Sequence, residues 1–465
     1  MRSALRYKAI FAIAGLLSLQ SCFVAKDYKQ PDVVKQEYYR SDNLPADSLN
    51  MANVSWREMF NDPILQDYIE KGLQNNIDIR VALQQIIAAE AYVKQGKAGY
   101  LPTLNTNARY THQELAPNSQ FGNFFSSLDQ YEINANLSWE ADIWGKITSQ
   151  KKAYQARALQ TVAAHQAVKT RLIADIATTY YQLLALDEQI RITEETIDTR
   201  ASSLETTKAL KEAGNVTEVG VQQTEAQLYN AQGILLDLKD QRYQLENAFS
   251  ILLGEAPNNI VRTDLSEQEI TTNLNVGVPV ELLRNRPDVI AAEYNFMNAF
   301  QLTNLARTNF YPSLSISATA GLQSLDPATL VNTNSLFATI IGNLAQPILN
   351  GRKIRTQYEV AQSQQEQARL NFRKTILIAS KEVSDALHSY KTATEKIVVK
   401  QKEFNAYSLA TDYSQELLNN GLANYLEVLT ARQNALNSRL ELTNARFNQL
   451  KAMVKLYEAL GGGWQ

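Results

Sequence analysis

Two hydrophobic periods share this chain. From Ile147 to about Lys211, large apolar residues return every seventh position, at Ile176, Leu183, Ile190, Ile197 and Leu204. From Arg352 to about Asn419 the same beat places Ile376, Val383, Tyr390, Ile397 and Phe404. Leu238, Leu245 and Leu252 keep it on a later segment. A repeat of seven holds one stripe against a neighbouring helix and imposes left-handed supercoiling. The pattern therefore predicts two very long helices, each followed by a glycine turn and a helix returning to Leu253 or Leu460. Most other positions are Gln, Thr, Ser, Lys or Glu, as on a solvated flank. At 1.5 Å per residue, about 65 residues extend roughly 95–100 Å, which suits a rod or tube better than a compact core.

The second period is two. "KAGYLPTLNTNARYT" (Lys97–Thr111) turns at Pro102 from helical to alternating character, and "RTNFYPSLSISATAG" (Arg307–Gly321) does so at Pro312. A residue before proline disfavours the α region, so both prolines mark a change from helix to strand. One face of the first strand takes Leu104, Thr106, Ala108 and Tyr110, and the other takes Asn105, Asn107 and Arg109. Its partner sets Tyr131, Ile133, Ala135, Leu137 and Trp139 against Asn134, Asn136 and Ser138. In the second half Leu314, Ile316, Ala318 and Ala320 alternate with Ser313, Ser315, Ser317 and Thr319. "SLFATIIGNLAQ" is a fourth, less regular strand.

These strands fit either a soluble hairpin with one wet face or a membrane wall. Each clean segment has about nine residues, enough to cross a bilayer when tilted. The polar faces read as small and uncharged apart from Arg109. Tyr100, Trp139, Trp144, Phe310 and Tyr311 flank the helix-proximal end, and Phe121, Phe124, Phe125 and Tyr131 the far end, as two interfacial girdles would. Both features favour the wall. Four strands cannot close, and lipid offers nothing to hydrogen-bond an open edge, so copies must combine: eight strands in a dimer or twelve in a trimer. Spacing leaves that choice open.

Self-comparison shows a tandem repeat. Pro102 and Pro312 stand 210 apart, as do Asp78 and Asp288; Gly214 and Gly421, and Gly254 and Gly461, stand 207 apart. Each copy runs helix, two strands, long helix, glycine turn, returning helix. The first helices are "IDIRVALQQIIAAEAYVKQGKAG" and "PDVIAAEYNFMNAFQLTNLART". The chain has 465 residues, 45% hydrophobic and 20% charged, with a net charge of −3. That balance excludes a disordered chain and shows no basic nucleic-acid footprint. Arg2, Arg6 and Lys8 before "AIFAIAGLLSLQSC" read as a secretory signal, residues 1–21. Cys22 is the only cysteine, so no intrachain disulfide forms. "LQSC" resembles a bacterial lipobox, which makes Cys22 the expected lipidated residue. His112, His165 and His388 are scattered, and zinc spacing, a phosphate loop and a serine-nucleophile motif are absent, so no catalytic site, cofactor or metal is expected. Arg352, Lys353 and Arg355 fit anchoring at lipid headgroups.

"WEADIWGKI" (Trp139–Ile147), "VPVELLRNRPDVIAAE" (Val278–Glu293), "FYPSL" (Phe310–Leu314), "PILNGRKI" (Pro347–Ile354) and "LGGGW" (Leu460–Trp464) occur in that order. They resemble the TolC/OprM-like outer-membrane efflux proteins, in the lipoprotein (NodT-type) branch, over nearly the whole mature chain. The resemblance implies a mainly α fold with membrane β: a homotrimer whose 12-stranded β-barrel, four strands per subunit, continues as a long periplasmic α-helical barrel. It implies a passive exit duct in the outer membrane of a Gram-negative bacterium. The implied partners are a periplasmic adaptor (membrane fusion) protein and an inner-membrane transporter, typically resistance-nodulation-division. A duct for type I protein secretion and a coiled-coil strut without a pore are the alternatives. The expected organisation is a lipidated segment over 22–63, repeat one over 64–254, a linker over 255–277, repeat two over 278–461 and a tail over 462–465. By the same resemblance, Gly214, Asn215, Val216 and Thr217 with Gly421, Leu422, Ala423 and Asn424 form adaptor-contacting tips, and Glu427 lines a periplasmic gate. Thr430 stands where the family often has a second acid.

Overall fold

The computed structural model describes residues 24–30, 54–268 and 285–464. Signal residues 1–21, Cys22 and residues 269–277 of the 255–277 linker lie outside the described residues. Helices α1 (Trp56–Met59), α2 (Pro63–Asn75) and α3 (Ile77–Ala98) lead to strands β1 (Thr103–Glu114) and β2 (Ser127–Ala141). Helices α4 (Lys146–Glu212) and α5 (Glu218–Leu252) complete the first copy. The second has α6 (Pro287–Thr308), β3 (Ser313–Ser324), β4 (Leu336–Ala345), α7 (Lys353–Asn419) and α8 (Tyr425–Ala459). Corresponding helices match in length: 22 residues in α3 and α6, 67 in α4 and α7, 35 in α5 and α8. The duplication read from the sequence is thus repeated element by element.

The chain forms two compact units, and each draws on both copies. One holds the four strands, the adjoining helix portions and residues 24–30. Its sheet is antiparallel in the order β1-β2-β3-β4. Leu104 lies opposite Leu137, Tyr110 opposite Tyr131, Ala135 opposite Ala320 and Leu314 opposite Leu344. Because side chains alternate along a strand, this register collects the apolar residues on one face. Asn105–Asn136, Asn107–Asn134 and Ser138–Ser317 pairs make the other. Glu132, opposite Arg109, and Glu140 also belong to the polar face, so Arg109 is not its only charge. In β4 the polar face takes Phe337 and Ile341, which explains that segment's weak alternation.

The two strand-to-helix turns differ by one residue. In the first, Gly145 (φ 75°) directly precedes α4; in the second, Gly351 (φ 59°) and then Arg352 (φ 65°) precede α7. A non-glycine residue at positive φ is uncommon, and Arg352 absorbs the extra position there.

The other unit holds the remaining helical portions and a core around Tyr180, Tyr457, Phe60, Phe249, Leu65, Ile69, Ile176 and Leu183, all nearly or fully buried. The seven-residue stripe supplies Ile176, Leu183, Ile190, Leu204, Ile376 and Val383 as buried residues. A second stripe is alanine-based: Ala156 and Ala163 on α4, and Ala379, Ala386 and Ala393 on α7. Small residues there let helices approach closely. Asp62 caps α2 by accepting from Ile64 N–H (2.8 Å) and Leu65 N–H (3.3 Å). Its other oxygen accepts from the Tyr180 hydroxyl (2.8 Å), the Thr263 hydroxyl (2.5 Å) and the Gln268 amide (2.9 Å).

Candidate channel wall and helical tips

The wall begins with aromatic anchors around the two proline turns. Trp139 Nε1 donates to Tyr100 O (2.9 Å), and Trp144 Nε1 to Pro312 O (2.7 Å). The Trp144 and Tyr311 rings lie 5.0 Å apart, and Phe310 meets Tyr358 edge-on at 5.7 Å. At the opposite strand end, Tyr110 and Tyr131 lie 5.0 Å apart, and Phe121, Phe124 and Phe125 are exposed in the β1–β2 loop. Both aromatic clusters therefore fall where the sequence puts them. Between them the apolar face exposes Leu104, Ile133, Ile316, Leu336, Ile340 and Leu344. Strand β1 is exposed along its whole length and β4 nearly so, because neither outer edge has a strand beside it among the described residues. An aqueous sheet would cover such a face with its own core. This one presents the face and both edges outward.

Residues 24–30 pack in the same unit. Lys26 N–H donates to Asn304 Oδ1 (3.2 Å), and Asn304 Nδ2 donates back to Lys26 O (2.9 Å). Arg307 donates to Val24 O (3.2 Å), and Tyr28 stacks edge-on against Phe296 and Phe300. Ala25 lies beside Gly145, so this strap runs to the turn that joins β2 to α4. Of the basic cluster, Arg352 and Arg355 both bind Glu359, at 3.0 and 3.2 Å.

The tips are built alike. At the end of α4, Gly214 N–H donates to Lys211 O and Asn215 N–H to Leu210 O, both at 2.9 Å. At the end of α7, Gly421 N–H donates to Leu418 O (3.0 Å) and Leu422 N–H to Leu417 O (2.8 Å). These are Schellman caps. Both glycines have positive φ, 80° and 71°, and a Cβ on either would meet nothing within 4 Å. Thr217 stands at the N-cap of α5 without a side-chain bond, whereas Asn424 caps α8 by accepting from Glu427 N–H (3.2 Å). The hydroxyls of Tyr425 and Thr224 are hydrogen-bonded at 2.9 Å, which brings the start of α8 to α5. Glu427 is exposed and lines a recess of about 400 Å³ with Tyr407, Asn424, Leu426 and Thr430.

Behind the tips, α8 is tied to α4 by polar rungs. Gln189 donates to Asn444 (2.8 Å), Arg439 to Glu195 (2.8 Å), Arg200 to Gln433 (2.7 Å), and Arg432 to the Ser203 hydroxyl. Arg200 is buried and also donates to Gln227 O, with no ion-paired carboxylate among the described residues. Burial, and then the nearby Arg432 charge, depress its pKa. Neither arginine stood out in the sequence, because a rung needs partners from a helix more than two hundred residues away. Among the described residues no group of three or more His, Cys, Asp or Glu side chains could hold a metal ion. No described helix is long and apolar enough to cross a membrane.

Comparison with known proteins agrees with this geometry. The family model described as outer membrane efflux protein matches residues 68–255 and 278–462, one segment for each copy. The chain belongs to the outer membrane efflux protein family. Its relatives include the solvent efflux pump outer membrane protein SrpC of Pseudomonas putida, 28% identical over 467 residues and covering 99% of both chains. The cation efflux system protein CusC of Escherichia coli K12 is 26% identical over 453 residues, covering 96% of this chain and 97% of that one. The solved structure of the outer-membrane channel OprN superposes with a TM-score of 0.87 at 23% identity, over 95% of this chain and 100% of that one. A CusC structure does so with a TM-score of 0.83 at 25% identity, over 95% and 100%. The protein is accordingly an outer-membrane efflux protein, the outer-membrane channel component of an efflux pump.

Proposed function

We propose that three copies of the chain close into one barrel and work as the passive exit duct of a tripartite pump. The observation that carries this reading is the four-stranded sheet with one apolar face and two bare edges. In lipid each unpaired backbone group costs several kcal/mol. Pairing β1 of one copy with β4 of the next satisfies both edges, and three copies supply twelve strands. The apolar face then meets lipid and the polar face lines the passage. Repeat one over 64–254 and repeat two over 278–461 contribute two strands each. Lipidated Cys22 ties the segment over 22–63 to the outer membrane.

The tips at Gly214–Thr217 and Gly421–Asn424 contact a periplasmic adaptor. That adaptor couples the duct to an inner-membrane transporter of the resistance-nodulation-division type. Glu427 from each copy lines the entrance. Relatives named for solvents and for cations support two cargo classes, organic solutes and metal ions. The duct performs no chemistry on either.

Purified protein in planar bilayers tests the reading. Discrete unitary currents from a cross-linked trimer are expected. A species that stays monomeric in detergent and carries no current overturns it, and leaves a coiled-coil strut.

A further inference from the structure

The polar face of the sheet carries one opposed pair of unpartnered charges. Arg109 on β1 lies directly opposite Glu132 on β2, three positions from the pair that holds His112 and Asp129. Among the described residues no hydrogen bond or ion pair engages the Arg109 guanidinium. Glu132 is braced by neutral neighbours on its own face: Asn134 Nδ2 donates to one oxygen, and Gln130 Nε2 to the other at 3.4 Å. The amides fix the carboxylate without cancelling its charge. The other acid on this face, Glu140, is already neutralised by Lys146 at 2.8 Å. Strand β3 contributes Ser313, Ser315, Ser317, Thr319 and Gln323 to the face, all uncharged, and β4 has no charged residue at all. A β4 strand arriving beside β1 therefore brings no acid to Arg109.

We propose that Arg109 and Glu132 form a charge-balanced tier that sets the charge selectivity of the outer stretch of the passage. This inference rests on the trimeric-wall reading above. Three copies place three fixed cations and three fixed anions at one level, with neutral amides and hydroxyls around them. The opposed charges cancel at a distance but not at contact. A solute of either net charge meets no net field, so the stretch passes both signs, and zwitterionic or uncharged polar cargo finds local partners. Removing one member leaves three like charges that nothing else on the wall offsets.

The test uses a thiol at Thr111, the next residue on the Arg109 face and about 7 Å along the strand. Cys22 is the only native cysteine, so the unsubstituted protein gives the background. Thr111→Cys is labelled in intact trimers with a cationic and with an anionic methanethiosulfonate, and the ratio of the two rates is read. In the Thr111→Cys background the ratio should lie near that of a free thiol. Arg109→Gln should raise the cation-to-anion ratio, and Glu132→Gln should lower it. A unit charge at that distance changes each rate about two- to threefold at low ionic strength. The double variant should return to the starting ratio. Ratios that stay the same in both single variants, with trimers intact and the thiol reactive, overturn the tier and leave the wall standing. A Thr111→Cys thiol that neither reagent reaches overturns the wall assignment as well.

Discussion

Single residues carry unequal weight at positions that look equivalent. Four glycines of positive φ end the long helices, and their surroundings separate them. A Cβ at Gly421 meets nothing within 4 Å, whereas one at Gly461 (φ 86°) meets Asn285 O at 2.9 Å and one at Gly254 (φ 75°) meets Asn75 O at 2.5 Å. Gly421→Ala should therefore cost only the left-handed backbone penalty, about 1 kcal/mol. Gly461→Ala adds a clash with backbone and should cost about 3 kcal/mol or more. Denaturant titration of the helical circular dichroism signal in detergent measures both. A large charged residue is a separate test of the tip: Gly421→Glu should leave trimers in the membrane and abolish export.

Asp62 shows the same inequality through its charge. Burial alone would raise its pKa, but the Thr263 and Tyr180 hydroxyls, the Gln268 amide and the Ile64 N–H stabilise the anion, and the net direction is downward. A carboxylate depressed in the folded state adds stability above the ordinary Asp value of about 3.9, and that stability is lost as pH falls through the folded value. Asp62→Asn should thus lose about 2–4 kcal/mol at pH 7. The two proteins should converge once pH falls below the depressed folded value, as thermal melts across pH would record. None of this was legible in sequence, because Asp62 meets Tyr180, Thr263 and Gln268 only once the helices have packed.

Elements were more legible than contacts. The seven-residue beat marked the long helices to within a residue or two, since large apolar side chains at a fixed period have one packing solution. The alanine stripe at Ala379, Ala386 and Ala393 went unread, because alanine is as common on a wet helix face as on a tight one. Alternation locates all four strands but leaves the polar face looking neutral, because only the register with Arg109 assigns Glu132 to it. Strand faces also separate two neighbouring isoleucines. Ile340 and Ile341 are both exposed, at 79% and 54%, yet Ile340 sits opposite Ala318 on the apolar face and Ile341 opposite Ser317 on the polar one. Ile340→Lys should cost about 2–4 kcal/mol in a bilayer and deplete folded protein from the outer membrane. Ile341→Lys should fold and accumulate. Membrane fractionation with a protease-resistance assay distinguishes the two.

The whole molecule turns on what one copy lacks. Its sheet ends at two bare strands, and its tips expose Leu422 and Leu426 as well as Glu427. If Glu427 lines the entrance of a threefold assembly as proposed, three carboxylates would repel one another and draw cations to the axis. Glu427→Gln should reduce cation preference or increase leak in planar bilayers; unchanged conductance and selectivity would remove that ring from the mechanism. Family membership, outer-membrane placement and the duct were all legible from ordered motifs. Partner-facing roles came only from the resemblance, because a tip glycine is first of all a helix cap and its residue type shows no second purpose.

The matched lengths of the two copies have a consequence for stoichiometry. Each chain offers two hairpin ends of the same build, one capped by Asn424 and the other begun at an unbonded Thr217. On the trimeric reading proposed above, three chains would offer six docking points of two kinds. A partner indifferent to the difference engages in sixes, and one that requires the asparagine engages in threes. On that reading, the number of adaptor molecules per duct would depend on how far two halves of a single gene have drifted apart.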